Sequence, residues 1–160
     1  MATKKEALNW FTDKIAGDII EGRMRDPKKV SLPEVGKMYL YVYDPKWKMK
    51  LPLYDTFPLT MPIEYYSDGF LGLNFHYLTP GSRATLLDAL TEADNKYKEN
   101  KKILVSYQIL KSASIQFSGY QECTKRYLYS QVKSRFVEID PRDWGYVVMQ
   151  PWQKFVHKRS

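Results

Sequence analysis

The chain has 160 residues, 44% hydrophobic and 15% aromatic, with 13 Tyr, 4 Trp and one cysteine. That length suits one domain, which buries roughly 70% of its unfolded surface without help from disulfides or metal. The aromatic content excludes a disordered chain, and the lone Cys123 excludes an intrachain disulfide and favours a reducing compartment.

The formal net charge of +7 predicts attraction to polyanions such as nucleic acid or an acidic protein surface. The excess lies at the two ends of the sequence. Gly22 to Lys50 holds eight bases and three acids, and Gln121 to Ser160 eight bases and four acids. Between Met61 and Tyr120, six bases balance six acids. The start of the chain is charged, and no apolar run reaches the ~20 residues that span a bilayer, so a soluble intracellular protein is expected.

Leu8, Phe11, Ile15 and Ile19 recur at helical spacing, which predicts a helix from about Lys4 to Ile20, stopped by Gly22. Arg23 to Glu34 reads as a basic linker holding Pro27 and Pro33. From Lys37 to Tyr43, Met38, Leu40 and Val42 alternate with Tyr39, Tyr41 and Tyr43, the pattern of a strand with two usable faces. Beyond the Asp44-Pro45 turn, Lys46, Lys48 and Lys50 alternate with Trp47, Met49 and Leu51, which predicts a second strand with its lysines on one face. Phe57 to Ile63 reads as a third strand, edge or bent because of Pro58 and Pro62. Ser67-Asp68-Gly69 signals a hairpin turn, and Phe70 to Leu78 a fourth strand weakened by Gly72.

Thr79-Pro80 reads as an N-cap and first helical residue. Leu86, Leu87 and Leu90 stripe that helix, which ends near Ala93, and Asp94 to Lys102 follows as a polar connector. Ile103, Tyr107 and Leu110 predict another helix. Cys123, Tyr127, Leu128, Val132 and Phe136 predict a third, after Gly119. Asp140-Pro141 opens a short turn or helix, and Tyr146 to Met149 reads as a last strand. The whole is one α+β domain over 1–160. An N-terminal helix and basic linker take 1–35, a strand-rich block pictured as an SH3-like small barrel or meander 36–79, a helical block 80–140, and a terminal strand with a basic tail 141–160.

Chemical motifs are sparse. Two histidines, His76 and His157, and one cysteine make no standard zinc site. Cys123 could pair with a histidine, but its periodic apolar position reads as a buried residue. Neither a P-loop nor G-x-G-x-x-G occurs, and no cofactor or metal is expected. Asp55, Glu64 and Asp68 flank the third strand and would be the carboxylates of a metal-dependent nuclease; turn carboxylates on the surface are far commoner. Arg83, beside Ser82 at a helix start, is either an anion contact or an ordinary exposed arginine.

The constellation of most weight is basic and aromatic. Lysines neutralise phosphates, and aromatic faces stack on unpaired bases. The residues assigned to DNA contact are Arg23, Arg25, Lys28, Lys29, Lys37, Lys46, Trp47, Lys48, Lys50, Lys133 and Arg135, with Tyr39, Tyr41 and Tyr43 nearby in sequence. Lysines also guard edge strands, tyrosines also make cross-strand pairs, and the same surface would suit a protein interface.

Four stretches carry a resemblance. They are Gly36-Lys37-Met38-Tyr39-Leu40-Tyr41-Val42-Tyr43-Asp44-Pro45-Lys46, Leu51-Pro52-Leu53-Tyr54-Asp55-Thr56-Phe57-Pro58-Leu59, Asp68-Gly69-Phe70-Leu71-Gly72-Leu73-Asn74-Phe75-His76-Tyr77-Leu78 and Tyr127-Leu128-Tyr129-Ser130-Gln131-Val132-Lys133-Ser134-Arg135-Phe136. Together they resemble small virion proteins of T4-like tailed phages, of the DNA end protector type, over about Gly36 to Lys154. The resemblance implies a non-enzymatic virion protein, made in the host bacterial cytoplasm, that shields the ends of packaged double-stranded DNA. Its partners would be DNA ends and other virion proteins, with no membrane and with room for an oligomer in the particle. The alternative is a head–neck or tail component acting through protein contacts. The third reading remains the nuclease.

Overall fold

The computed structural model describes residues 4–46, 49–51, 53–116, 123–150 and 156–158. Helix α1 runs Lys4–Ile20, as the apolar spacing predicts. It ends in a Schellman motif: Arg23 N donates to Asp18 O at 2.8 Å and Gly22 N to Ile19 O at 3.1 Å. The turn needs a positive φ, and Gly22 supplies it at 73°.

Strands β1 (Lys28–Val30), β2 (Met38–Leu40), β3 (Leu53–Asp55), β4 (Leu59–Tyr66) and β5 (Gly69–Asn74) follow, and then helices α2 (Pro80–Lys96) and α3 (Glu99–Gln116). The chain continues through β6 (Thr124–Leu128), β7 (Phe136–Ile139), α4 (Trp144–Val148) and β8 (Val156–Lys158). One antiparallel sheet has the order β1-β7-β2-β4-β5-β6, and β3 pairs with β8 in a separate ribbon.

The two faces of the segment Met38–Tyr43, which begins with β2, enter different cores. Met38, Leu40 and Val42 pack with Phe11 and Ile15 of α1, Leu86 and Leu90 of α2, Leu110 of α3 and Val147 and Val148 of α4. Tyr39, Tyr41 and Tyr43 pack on the other side with Phe70, Tyr127 and Phe136. Phe70 and Phe136 sit on β5 and β7, three strands apart, which places their backbones about 14 Å apart in a flat sheet. Their ring centroids lie 5.9 Å apart, so the sheet curls around the aromatic cluster. Gly72 makes room there: a Cβ would sit 3.0 Å from the Phe70 ring and 3.3 Å from Thr60 Cβ.

Several expectations hold. Tyr66 and Gly69 close the β4–β5 hairpin at Ser67-Asp68-Gly69. Thr79 caps α2 by accepting from Ser82 N, with Pro80 at its start. Asp140 opens a 3-10 turn over Pro141–Asp143 that leads into α4. The third predicted strand is an interior one, bent by an irregularity between Pro62 and Glu64.

Other expectations are corrected. The fold is α+β, but the sheet is open, with β1 and β6 as its edges, and it recruits strands from both ends of the sequence. Within 36–79, β2, β4 and β5 are antiparallel neighbours in chain order, but they are part of the open six-stranded sheet and not a separate SH3-like barrel, and β3 leaves them to pair with β8. The expected helix over 123–136 is β6, a 3-10 turn and β7. Its Tyr, Val, Thr and Phe content suits a pleated surface, and β5 offers an edge whose register pairs Phe70 with Tyr127. Lys46, Met49 and Lys50 lie in a turn rather than a strand, bounded by prolines at 45 and 52 that donate nothing to a ladder. Trp47 and Lys48 lie outside the described residues. The basic linker contains β1, and α2 runs through Asp94 to Lys96, leaving a break at Tyr97 and Lys98. Tyr146 to Met149 continues the helical turn begun at Asp140; the last strand is β8, which pairs with β3.

Candidate nucleic-acid interface

Beyond β2, Tyr43 makes an isolated bridge to Val132, and the segment around Pro45, Lys46 and Leu51 lies beside the β3 ribbon. Edge strand β6 runs past on the other side, and a cavity of about 210 Å³ opens between them. Tyr43, Tyr54, Tyr77 and Tyr127 line it, together with Lys46 and, from β6, Lys125. The Lys125 ammonium sits over the Tyr77 ring, 5.8 Å from its centroid. Arg126 also lines the cavity, but its guanidinium pairs with Asp68 at 2.6 Å and covers the Tyr66 ring at 4.5 Å.

The walls are held by buried polar contacts. Tyr43 OH accepts from Leu128 N at 3.0 Å, and Tyr127 OH accepts from Asn74 Nδ2 at 3.2 Å. Burial pushes the Tyr77 and Tyr127 hydroxyls well above the ordinary phenol range. Both are therefore neutral at physiological pH and present uncharged ring surface.

Asp55 is the acid of the lining among the described residues. Its Oδ1 accepts from Phe57 N at 3.0 Å, and its Oδ2 meets Asn74 Nδ2 at 3.0 Å and His76 Nδ1 at 2.6 Å. Asn74 Oδ1 in turn accepts from His76 N at 2.9 Å. His76 Nε2 is buried with no hydrogen-bond partner among the described residues.

The residues expected to contact DNA are spread over the surface. Lys46 reaches the cavity, and Lys50 is exposed in the adjoining turn. Lys28 and Lys29 are exposed on edge strand β1, and Lys133 and Arg135 on the β6–β7 connection. Arg23 is paired with Glu21 and with Asp18 at 3.5 Å, and Arg25 with Asp143 at 2.6 Å. Lys37 meets Glu34 at 2.8 Å and Glu138 at 3.6 Å. Tyr39, Tyr41 and Tyr43 are buried in the aromatic core, so the stacking surface does not include them as an exposed strand face.

The nuclease carboxylates do not converge. Asp55 is buried in the Asn74–His76 cluster, Glu64 pairs with Lys111 at 2.5 Å and Tyr107 at 3.0 Å, and Asp68 pairs with Arg126. Among the described residues no three His, Cys, Asp or Glu side chains form a group that could hold a metal ion. Arg83 is not an anion contact: it is buried and donates to the carbonyls of Leu78 at 3.1 Å, Val148 at 3.0 Å and His76 at 3.3 Å. Cys123 is buried.

Sequence reasoning missed Lys125, Tyr54 and Tyr77. The helical reading of 123–136 hid Lys125. The available signal was the strand-forming run Thr124-Lys125-Arg126-Tyr127-Leu128, in which Lys125 and Tyr127 share a face.

No helix among the described residues is long and apolar enough to cross a membrane. No curated protein and no solved structure matches the chain. A family model does match it, over residues 1–160, and that family is described as the Phage T4 terminal DNA protecting protein. With its full length matched, the chain belongs to the phage T4 terminal DNA protecting protein family.

Proposed function

We propose that this protein binds the ends of packaged double-stranded DNA in the phage particle and shields them from exonuclease, as a binding protein rather than an enzyme. The observation that carries the reading is the family match over 1–160. The net charge of +7 and the lysine-lined aromatic cavity support it. Lys28, Lys29, Lys46, Lys50, Lys133 and Arg135 are exposed and suited to phosphate contact. Trp47 and Lys48 belong to the same proposal on sequence grounds. Arg23, Arg25 and Lys37 are engaged by acids and contribute less. The protein is made in the host cytoplasm and carried in the virion.

Six phosphate contacts imply a log–log salt slope of about −5, or about 10³-fold weaker binding between 50 and 200 mM salt. The test compares a blunt linear duplex with a closed circle of equal sequence at those two salt concentrations, and then adds a double-strand exonuclease. Salt-sensitive preference for the linear form, with slowed digestion and no cleavage by the protein itself, is expected. Equal binding to circle and duplex would overturn end recognition. Absence of binding at low salt would leave the second reading, a head–neck or tail component. In that reading the exposed Tyr65, Ile103 and Leu104, grouped with Val35 and Ile63 around one groove, meet other virion proteins.

A further inference from the structure

We propose that the cavity lined by Lys46, Tyr54, Tyr77 and edge strand β6 takes one unstacked nucleotide of the DNA terminus, base inward and phosphate outward. This rests on the end-binding reading and adds the part of the DNA that is gripped.

Three observations set the ligand and its orientation. The first is size. About 210 Å³ lies below the roughly 300–1,000 Å³ of ordinary small-molecule pockets, which suits a base rather than a stacked pair. The second is the wall chemistry. Tyr43, Tyr54, Tyr77 and Tyr127 line the cavity, and aromatic rings are the partner that unpaired bases take in sequence-tolerant recognition. The third is charge placement. Asp55 lies at the buried side, and Lys46 and Lys125 line the cavity with it. Both Asp55 oxygens are engaged, by Phe57 N, Asn74 and His76. A phosphate driven inward would approach that buried carboxylate and be repelled, whereas an uncharged base is not. The phosphate then stays with the lysines. Lys125, which covers the Tyr77 ring at 5.8 Å, moves outward to the phosphate and uncovers that ring face.

A paired blunt end must fray to supply such a nucleotide, at a cost of a few kcal/mol per unstacked base. An end with an unpaired terminal base avoids that cost.

The experiment uses the full chain at fixed salt with three probes: a blunt G·C-ended duplex, the same duplex with one unpaired 5′-phosphorylated terminal base, and a 5′-phosphorylated single-stranded tetranucleotide. The double variant Lys46→Ala/Lys125→Ala is compared with Lys28→Ala/Lys29→Ala on the opposite edge strand, both checked for unchanged melting. The unpaired end is expected to bind about 5- to 150-fold more tightly than the blunt one, as one base stack provides. Lys46→Ala/Lys125→Ala should shrink that ratio and weaken the tetranucleotide, while Lys28→Ala/Lys29→Ala lowers all duplex affinities alike and keeps the ratio. Equal binding to paired and unpaired ends, or a ratio and a tetranucleotide affinity both unchanged in Lys46→Ala/Lys125→Ala, overturns the cavity assignment and leaves end protection standing. If duplex ends are not preferred over a circle but the tetranucleotide binds in a Lys46- and Lys125-dependent way, the end reading falls and the nucleotide site stands.

Discussion

Replacing Asp55 by alanine tests whether this carboxylate organises the fold beneath the cavity. The substitution removes the acceptor of three hydrogen bonds, from Phe57 N at 3.0 Å, Asn74 Nδ2 at 3.0 Å and His76 Nδ1 at 2.6 Å. The Asp55 side chain is 1% exposed, so water does not replace the lost partner. A hydrogen bond to a charged group contributes about 1.5–3 kcal/mol. The three share one network and do not add. Leaving a buried donor without its acceptor costs about 1–3 kcal/mol, so with three donors stranded in one network about 3–5 kcal/mol is the expected loss here. Against a total of about 5–15 kcal/mol this is a large fraction. At about 2–4 °C per kcal/mol for a chain of this length, the melting midpoint falls by about 6–20 °C. Asp55→Asn keeps the volume but turns one oxygen into an NH2 that faces donors, so it also destabilises. Asp68→Asn, on the exposed hairpin tip, leaves the midpoint unchanged. Thermal unfolding followed by far-UV circular dichroism reads all three. An Asp55→Ala midpoint within about 2 °C of the parent would refute the reasoning, because a loss below about 1 kcal/mol is incompatible with a buried acceptor of three bonds.

Arg83→Met strips donors from three buried carbonyls and is expected to cost about 3 kcal/mol or more, measured by urea unfolding. The folded fraction should bind DNA as the parent does, since Arg83 is buried beneath α2; a selective loss of DNA binding at unchanged stability would contradict its role as a packing anchor. Asp140 provides a pH test. The Arg142 guanidinium and backbone N–H beside it pull its carboxyl to about 2, from an ordinary value near 3.8. A depressed carboxyl pKa adds stability that is present above about 3.8 and lost as pH falls through about 2. In Asp140→Asn that part of the acid destabilisation between pH 4 and 2 should disappear, and an unchanged acid limb would show that the pair does nothing for folding.

Local signals carried much of the fold. The spacing of Phe11, Ile15 and Ile19 with Gly22 beyond it is enough for α1, because a helix and its stop depend on neighbouring residues. Ser67-Asp68-Gly69 and Thr79-Pro80 mark a hairpin and a helix start for the same reason. The alternation from Met38 to Tyr43 anticipated two faces, and they do enter two clusters, although the strand itself covers Met38–Leu40. It was silent on what would cover the tyrosine face, and that face is buried by Phe70, Tyr127 and Phe136 from distant strands.

The spacing of Cys123, Tyr127, Leu128, Val132 and Phe136 fits a helix as well as it fits strands. The edge of β5 decided between them, and an edge more than fifty residues away leaves no mark on local periodicity. Composition and charge by themselves determined a basic, aromatic, disulfide-free α+β chain suited to a polyanion. Only the tertiary structure decided which groups share a site. Strands, a 3-10 turn and the β3 ribbon from distant parts of the chain bring Tyr43, Asp55, Tyr77 and Lys125 around one cavity, the aromatic cluster buries tyrosines that looked available for stacking, and Arg83 turns inward. Side-chain chemistry is written residue by residue, whereas convergence of residues remote in the chain exists only after long-range strand pairing has placed them.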